Sequence, residues 1–122
     1  MALKLFVDDL RNPSDSIDGN WIVYRPQKEG DMKVFYFMVK HADIISLDHD
    51  FGMLDQDGKD ILTGYDVICR LEMLAYNNEI WTSRLPILLC HSDNGPGKDR
   101  IEATIEAIYR RKGKERPIVL DL

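Results

Sequence analysis

Three short apolar runs in this chain each stop at ionisable residues, and that pattern limits the fold more than any other feature. Ile44-Ile45-Ser46-Leu47 runs into Asp48-His49-Asp50-Phe51-Gly52. Leu3-Lys4-Leu5-Phe6-Val7 runs into Asp8-Asp9, and Ile87-Leu88-Leu89-Cys90 into His91-Ser92-Asp93-Asn94. An apolar run of this length reads as a buried strand. In open parallel α/β sheets the ligand crevice lies just past the carboxyl ends of the strands. Three strands loaded at the same end therefore predict one shared site.

The segments between these runs alternate with them. Residues 2–7 give a first strand. Asp8 to Asn20 is rich in turn formers, including Arg11-Asn12-Pro13-Ser14-Asp15 and Asp18-Gly19-Asn20, and reads as a loop with no full helix. Trp21-Ile22-Val23-Tyr24 is a second strand, closed by Arg25-Pro26. Gln27 to His41 is ambiguous. Met32, Phe35, Met38 and Val39 fit one helix face, Val34-Phe35-Tyr36-Phe37 fits a strand, and the βα alternation favours the helix. Residues 43–48 are a third strand, apolar on both faces. Thr63 caps a helix with Asp66 three residues on, and Val67, Ile68, Leu71, Leu74 and Ala75 are its buried face. Leu85 to Cys90 is a fourth strand, Gly95-Pro96-Gly97 a tight turn, and Ile101, Ile105, Ile108 and Tyr109 mark a further helix. Its basic end, Arg110 to Lys114, suits the helix dipole. Pro117 to Leu120 is a last strand.

This alternation predicts a single-domain, three-layer α/β sandwich over residues 1–122. Its parallel five-stranded sheet has the flavodoxin-like order 2-1-3-4-5, helices on both faces, and a first helix reduced or lost. The first, third and fourth strands then lie side by side, about 4.8 Å apart. The 122 residues suffice for one core, and a net charge of −5 disfavours duplex nucleic acid as a partner. Cys69 and Cys90 lack metal-ligand spacing and read as buried thiols of a reducing compartment. No N-terminal apolar stretch is long enough for a signal peptide or a membrane span, so a cytoplasmic protein is expected.

The tips carry the chemistry. Asp8, Asp9, Asp48 and Asp50 place four carboxylates near one point, which repel one another unless a proton or cation joins them. Mg²⁺ or Mn²⁺ suits hard oxygen ligands. The alternative is that Asp8, Asp9 and Asp50 cap loops or helices. His49 and His91, at neighbouring strand ends, can serve as general acid and base near neutral pH, with Asp48 beside them. His41 lies at the opposite end and reads as structural. Arg11 and Arg25 are candidates to clamp a phosphate, and Ser92 and Asn94 add donors for an anion. Lys98 and Arg100 open the last helix and read equally well as solvated charges. Gly52 and Gly64 read as turns or as points of close backbone approach.

Phe6-Val7-Asp8-Asp9, Leu47-Asp48 and Thr63-Gly64-Tyr65-Asp66 together resemble the response-regulator receiver fold, with Asp48 at the phospho-acceptor place. Receivers carry a Lys-Pro after the last strand, and none follows here. A closer resemblance, covering the whole chain, is to the cyclic-phosphate-processing receiver-like domain. It rests on Leu5-Phe6-Val7-Asp8-Asp9-x-Arg11-Asn12-Pro13, Trp21-x-Val23-x-Arg25, Ile45-Ser46-Leu47-Asp48-His49-Asp50-x-Gly52, Thr63-Gly64-Tyr65-Asp66 and His91-Ser92-x-Asn94 with Gly97 following. Gly95-Pro96-Gly97 stands where that family has Asn-Pro-x-Gly. The resemblance implies action on a cyclic phosphate of a nucleotide or nucleotide derivative, a small phosphate ligand rather than a membrane. The rival reading is a signalling receiver, or a binding module without catalysis.

Overall fold

The structure, a computed structural model, describes residues 3–8, 21–25, 32–50, 56–59, 62–92 and 95–117. The elements run β1 (Lys4–Val7), β2 (Trp21–Tyr24), α1 (Met32–Val39), β3 (Ile44–Leu47), α2 (Gly64–Tyr76), β4 (Ile87–Cys90) and α3 (Gly95–Arg111). The four strands form one parallel sheet in the order β2-β1-β3-β4. This is the expected order for the first four strands. The fifth expected strand, Pro117–Leu120, and the expected loop over residues 8–20 fall almost wholly outside the described residues.

Side chains alternate across a strand, so the register sorts the sheet into two faces. Leu5, Val7, Ile45, Leu47, Leu88 and Cys90 share one face and join a single buried cluster with Phe35 and Val39 of α1, Ile68 and Leu71 of α2, and Ile101 and Ile105 of α3. Phe6, Ser46 and Leu89 pair across the sheet on the opposite face and are buried outside that cluster. The crossovers β2-α1-β3 and β3-α2-β4 progress in the same direction. Right-handed connections that progress the same way place their helices on the same side. Helices were expected on both faces. The described ones all cover one, so the third layer of the sandwich has no counterpart among the described residues.

The ambiguous segment is helical. Met32, Phe35 and Val39 recur on one face of α1 and are buried, while Val34 and Phe37 of the strand-like run point out to solvent. Burial of that stripe outweighs the weak strand preference of the run. Thr63 and Asp66 make the expected capping box: the Thr63 hydroxyl accepts from the Asp66 N–H, and the Asp66 carboxylate accepts from the Thr63 N–H. Gly95-Pro96-Gly97 is not a tight turn but the first turn of α3. Proline fits there because a helix leaves its first N–H groups without internal partners. Between α2 and β4, Trp81 has φ 56, a strained value for a bulky residue. It is held by burial and by its indole N–H, which donates to the Val39 carbonyl at 2.9 Å. Among the described residues no helix is long and apolar enough to cross a membrane.

Candidate functional site

Val7 pairs with Tyr24 on one side and Leu47 on the other, and Leu47 pairs with Cys90. The next residue of each strand therefore forms a row along the carboxyl edge: Arg25, Asp8, Asp48, His91. The backbone ladder continues into that row. Asp8 N–H donates to Tyr24 O at 3.2 Å, Asp48 N–H to Val7 O at 2.9 Å, and His91 N–H to Leu47 O at 3.0 Å. Tips from separate parts of the chain are thus locked at one level.

Asp8 and His91 meet although β3 lies between their strands. His91 Nε2 is 2.9 Å from Asp8 Oδ2, and His91 Nδ1 is 2.7 Å from Ser46 Oγ. The imidazole stacks on the Phe6 ring, with centroids 4.0 Å apart and planes 12° from parallel. Asp8 and Ser46 are each 1% exposed. An ionised carboxylate only accepts hydrogen bonds, so Nε2 carries the proton toward Asp8. In the neutral ring Nδ1 then accepts from the Ser46 hydroxyl.

A second histidine–aspartate pair stands beside the first tip row. His49 Nδ1 is 2.8 Å from Asp50 Oδ1, and the His49 N–H donates to Asp48 Oδ1 at 2.8 Å. The start of α2 holds this turn in place. Gly64 N–H donates to the His49 carbonyl at 2.7 Å, and Asp50 forms an isolated bridge with Thr63. Residue 64 has to be glycine here, because a Cβ would lie 1.9 Å from the Asp48 carbonyl oxygen. Asp48 and His49 are buried, whereas the Asp50 side chain is 52% exposed.

The residues expected to carry chemistry divide clearly. Asp8, Asp48, His49, Asp50, His91 and Arg25 come to one edge. The two histidines, expected to act across a cleft from each other, are each bound to an aspartate of their own. Asp8 and Asp50, two of the four candidate metal ligands, are those partners. Among the described residues no group of three or more His, Cys, Asp or Glu side chains is placed to hold a metal ion. Asp9, Arg11, Gly52 and Asn94 lie outside the described residues. Ser92 is buried two positions beyond β4. Arg100 lies 5.3 Å over the Tyr65 ring, on the helical side. His41 is an exposed residue beside Phe37, before β3 and so at the other edge. Burial pushes the Cys90 thiol up to about 11, which keeps it protonated and unreactive, as a structural thiol should be.

Two residues had no assigned role in the sequence reading: Ser46, which bonds His91, and Phe6, which stacks on it. The available signal was a lone hydroxyl inside an apolar strand, two residues before Asp48 and hence on the same face.

Searches among curated proteins and among solved structures return no match to this chain. The family model of the cyclic-phosphate processing receiver domain does match, over residues 3–107, which take in all four strands, α1, α2 and α3 as far as Ala107. With that coverage, the chain belongs to the cyclic-phosphate processing receiver domain family.

Proposed function

We propose that this protein is a phosphoesterase that opens a cyclic phosphate on a nucleotide or nucleotide derivative. The observation that carries the reading is the presence of two histidine–aspartate pairs at one carboxyl edge, Asp8–His91 and His49–Asp50, with Asp48 between them. A carboxylate on one imidazole nitrogen fixes the ring and supports proton transfer at the other. With Nδ1 of His49 held by Asp50, proton transfer by His49 falls to Nε2.

Hydrolysis of a cyclic phosphodiester needs two proton movements. A water oxygen attacks phosphorus and gives its proton to a base. The bond from phosphorus to one ring oxygen breaks, and that oxygen takes a proton from an acid. One water is consumed and a phosphomonoester is formed. His49 supplies one of these transfers through Nε2, and the Asp8–His91 pair supplies the other through the Asp8 carboxyl that His91 orients, with Asp48 orienting the His49 turn. Arg25 of the tip row, with Arg11, Ser92 and Asn94, would hold the phosphate oxygens. No step in this scheme passes through a metal ion. EDTA treatment tests that separately: turnover lost with EDTA and restored by Mg²⁺ or Mn²⁺ would add a metal ion held by the aspartates of this edge, as their hard oxygen donors allow.

The test is a panel of 2′,3′-cyclic nucleotides and related cyclic esters, with phosphomonoester measured as product. His49→Ala and His91→Ala should each lose about 10²–10⁴-fold in turnover. Full turnover by both variants would falsify the assignment. Incubation with acetyl phosphate and Mg²⁺ addresses the signalling alternative: a phosphoryl group on Asp48 would favour a receiver that accepts phosphate.

A further inference from the structure

Ser46 is the one polar residue of β3, between Ile45 and Leu47, and it is 1% exposed. A hydroxyl buried in an apolar strand is costly unless it is hydrogen-bonded. Its partner is His91 Nδ1 at 2.7 Å. The same ring is held at Nε2 by Asp8 and across its face by Phe6. These contacts do different things. The two hydrogen bonds, at opposite ends of the ring, set its direction within its plane. The stacked phenyl ring sets the plane itself.

The tautomer follows from the same contacts. With the proton on Nε2, that N–H donates to the carboxylate and the Ser46 O–H donates to the Nδ1 lone pair. With the proton on Nδ1 instead, the Nε2 lone pair would face Asp8 Oδ2, and two acceptors would meet at 2.9 Å. Alanine at position 46 would put a methyl group where the hydroxyl now meets Nδ1 at 2.7 Å. The ring would then lose the hydrogen bond that Ser46 makes to it.

We infer that Ser46 is a positioning residue: from the middle of the sheet it holds the Nδ1 end of the His91 ring, keeping the ring flat on Phe6 and its Nε2–H aligned to Asp8. This role rests on the phosphoesterase reading for its kinetic consequence but not for its structural one. The structural arm needs no substrate. In ¹⁵N-edited NMR of the intact protein, the His91 nitrogens should show one fixed Nε2–H tautomer, and its ring protons the upfield shift of a ring stacked on Phe6. Ser46→Ala should move the Nδ1 shift, which loses its hydrogen bond, and reduce the upfield shift, while Asp8 keeps the proton on Nε2, in a protein whose melting transition stays cooperative. Ser46→Thr retains a hydroxyl at the same branch point and should restore both.

In the kinetic arm, Ser46→Ala should lower kcat on the best cyclic phosphate by about 10–100-fold while KM stays nearly constant, and Ser46→Thr should recover most of it. A His91 spectrum unchanged by Ser46→Ala overturns the inference. So does a Thr variant as disordered at His91 as the Ala variant. If the native protein turns over no cyclic ester and yet Ser46→Ala disorders the ring, the positioning role stands and the phosphoesterase reading falls.

Discussion

The two histidine–aspartate pairs use the same groups at nearly the same distance, 2.9 Å for His91–Asp8 and 2.8 Å for His49–Asp50. They are built in opposite ways. His49 and Asp50 are chain neighbours, and the Asp50 side chain is 52% exposed. His91 and Asp8 are 83 positions apart, from strands that do not touch, and Asp8 is 1% exposed. The first pair needs only a local turn. The second exists only when β1, β3 and β4 are all in register. Water can replace a lost partner at Asp50 but has little access to His91 and Asp8. The buried pair should therefore couple the site to the fold, and the exposed pair should contribute to chemistry with little effect on stability.

The strongest break in this contrast is Asp8→Ala. It strands the His91 N–H in a nearly dry setting, and the loss should be about 3 kcal/mol of unfolding free energy, measured by urea denaturation. Gly64→Ala comes next. It leaves both pairs chemically intact but drives a Cβ into the Asp48 carbonyl, so the turn carrying His49 must move. A loss of about 2–3 kcal/mol is expected, together with lower turnover. Asp50→Ala should cost less than about 1 kcal/mol in the same assay, because water can take the place of the half-exposed Asp50 carboxylate. If Asp8→Ala and Asp50→Ala prove equally destabilising, burial is not what separates the two pairs.

The edge itself was legible in the sequence because apolar runs that stop at Asp and His have few readings in an α/β chain. The capping box at Thr63 and Asp66 was legible for a similar reason, being a local hydrogen-bond pattern. Partner choice was not. Strand periodicity places Asp8, Asp48 and His91 on one face, yet only the register across three strands brings His91 to Asp8 and Ser46. Phe6 looked like core, and its contact with His91 arises from a strand two places away in the sheet. The one-sided placement of the helices depends on the direction of each crossover, which alternation alone does not specify. In Gly95-Pro96-Gly97 two glycines suggested a turn, and the burial of Gly97 with Ile101 and Ile105 along α3 made it a helix start. The stretches carrying Asp9, Arg11 and Asn94 lie outside the described residues, so those three sites rest on sequence.

The smallest effect is expected at the far edge, where Asp43 supplies a baseline with no histidine involved. Asp43 Oδ2 accepts the Leu3 N–H at 2.7 Å, and the Arg84 guanidinium binds Oδ1. The backbone donor first, and then Arg84, hold the carboxyl below its ordinary value of 3.8. A lowered value in the fold means that the charged form is favoured by folding. Its contribution is complete above the ordinary carboxylate range and is lost as pH falls through the lowered value. Asp43→Asn should therefore be slightly less stable than the native protein at neutral pH, and the two should converge as pH falls through the lowered value. Urea midpoints at a series of pH values check this. A gap that stays constant down to the acid limit would mean that the Leu3 and Arg84 contacts do not favour the charged carboxylate. The comparison between buried and exposed aspartates would then lose its reference point.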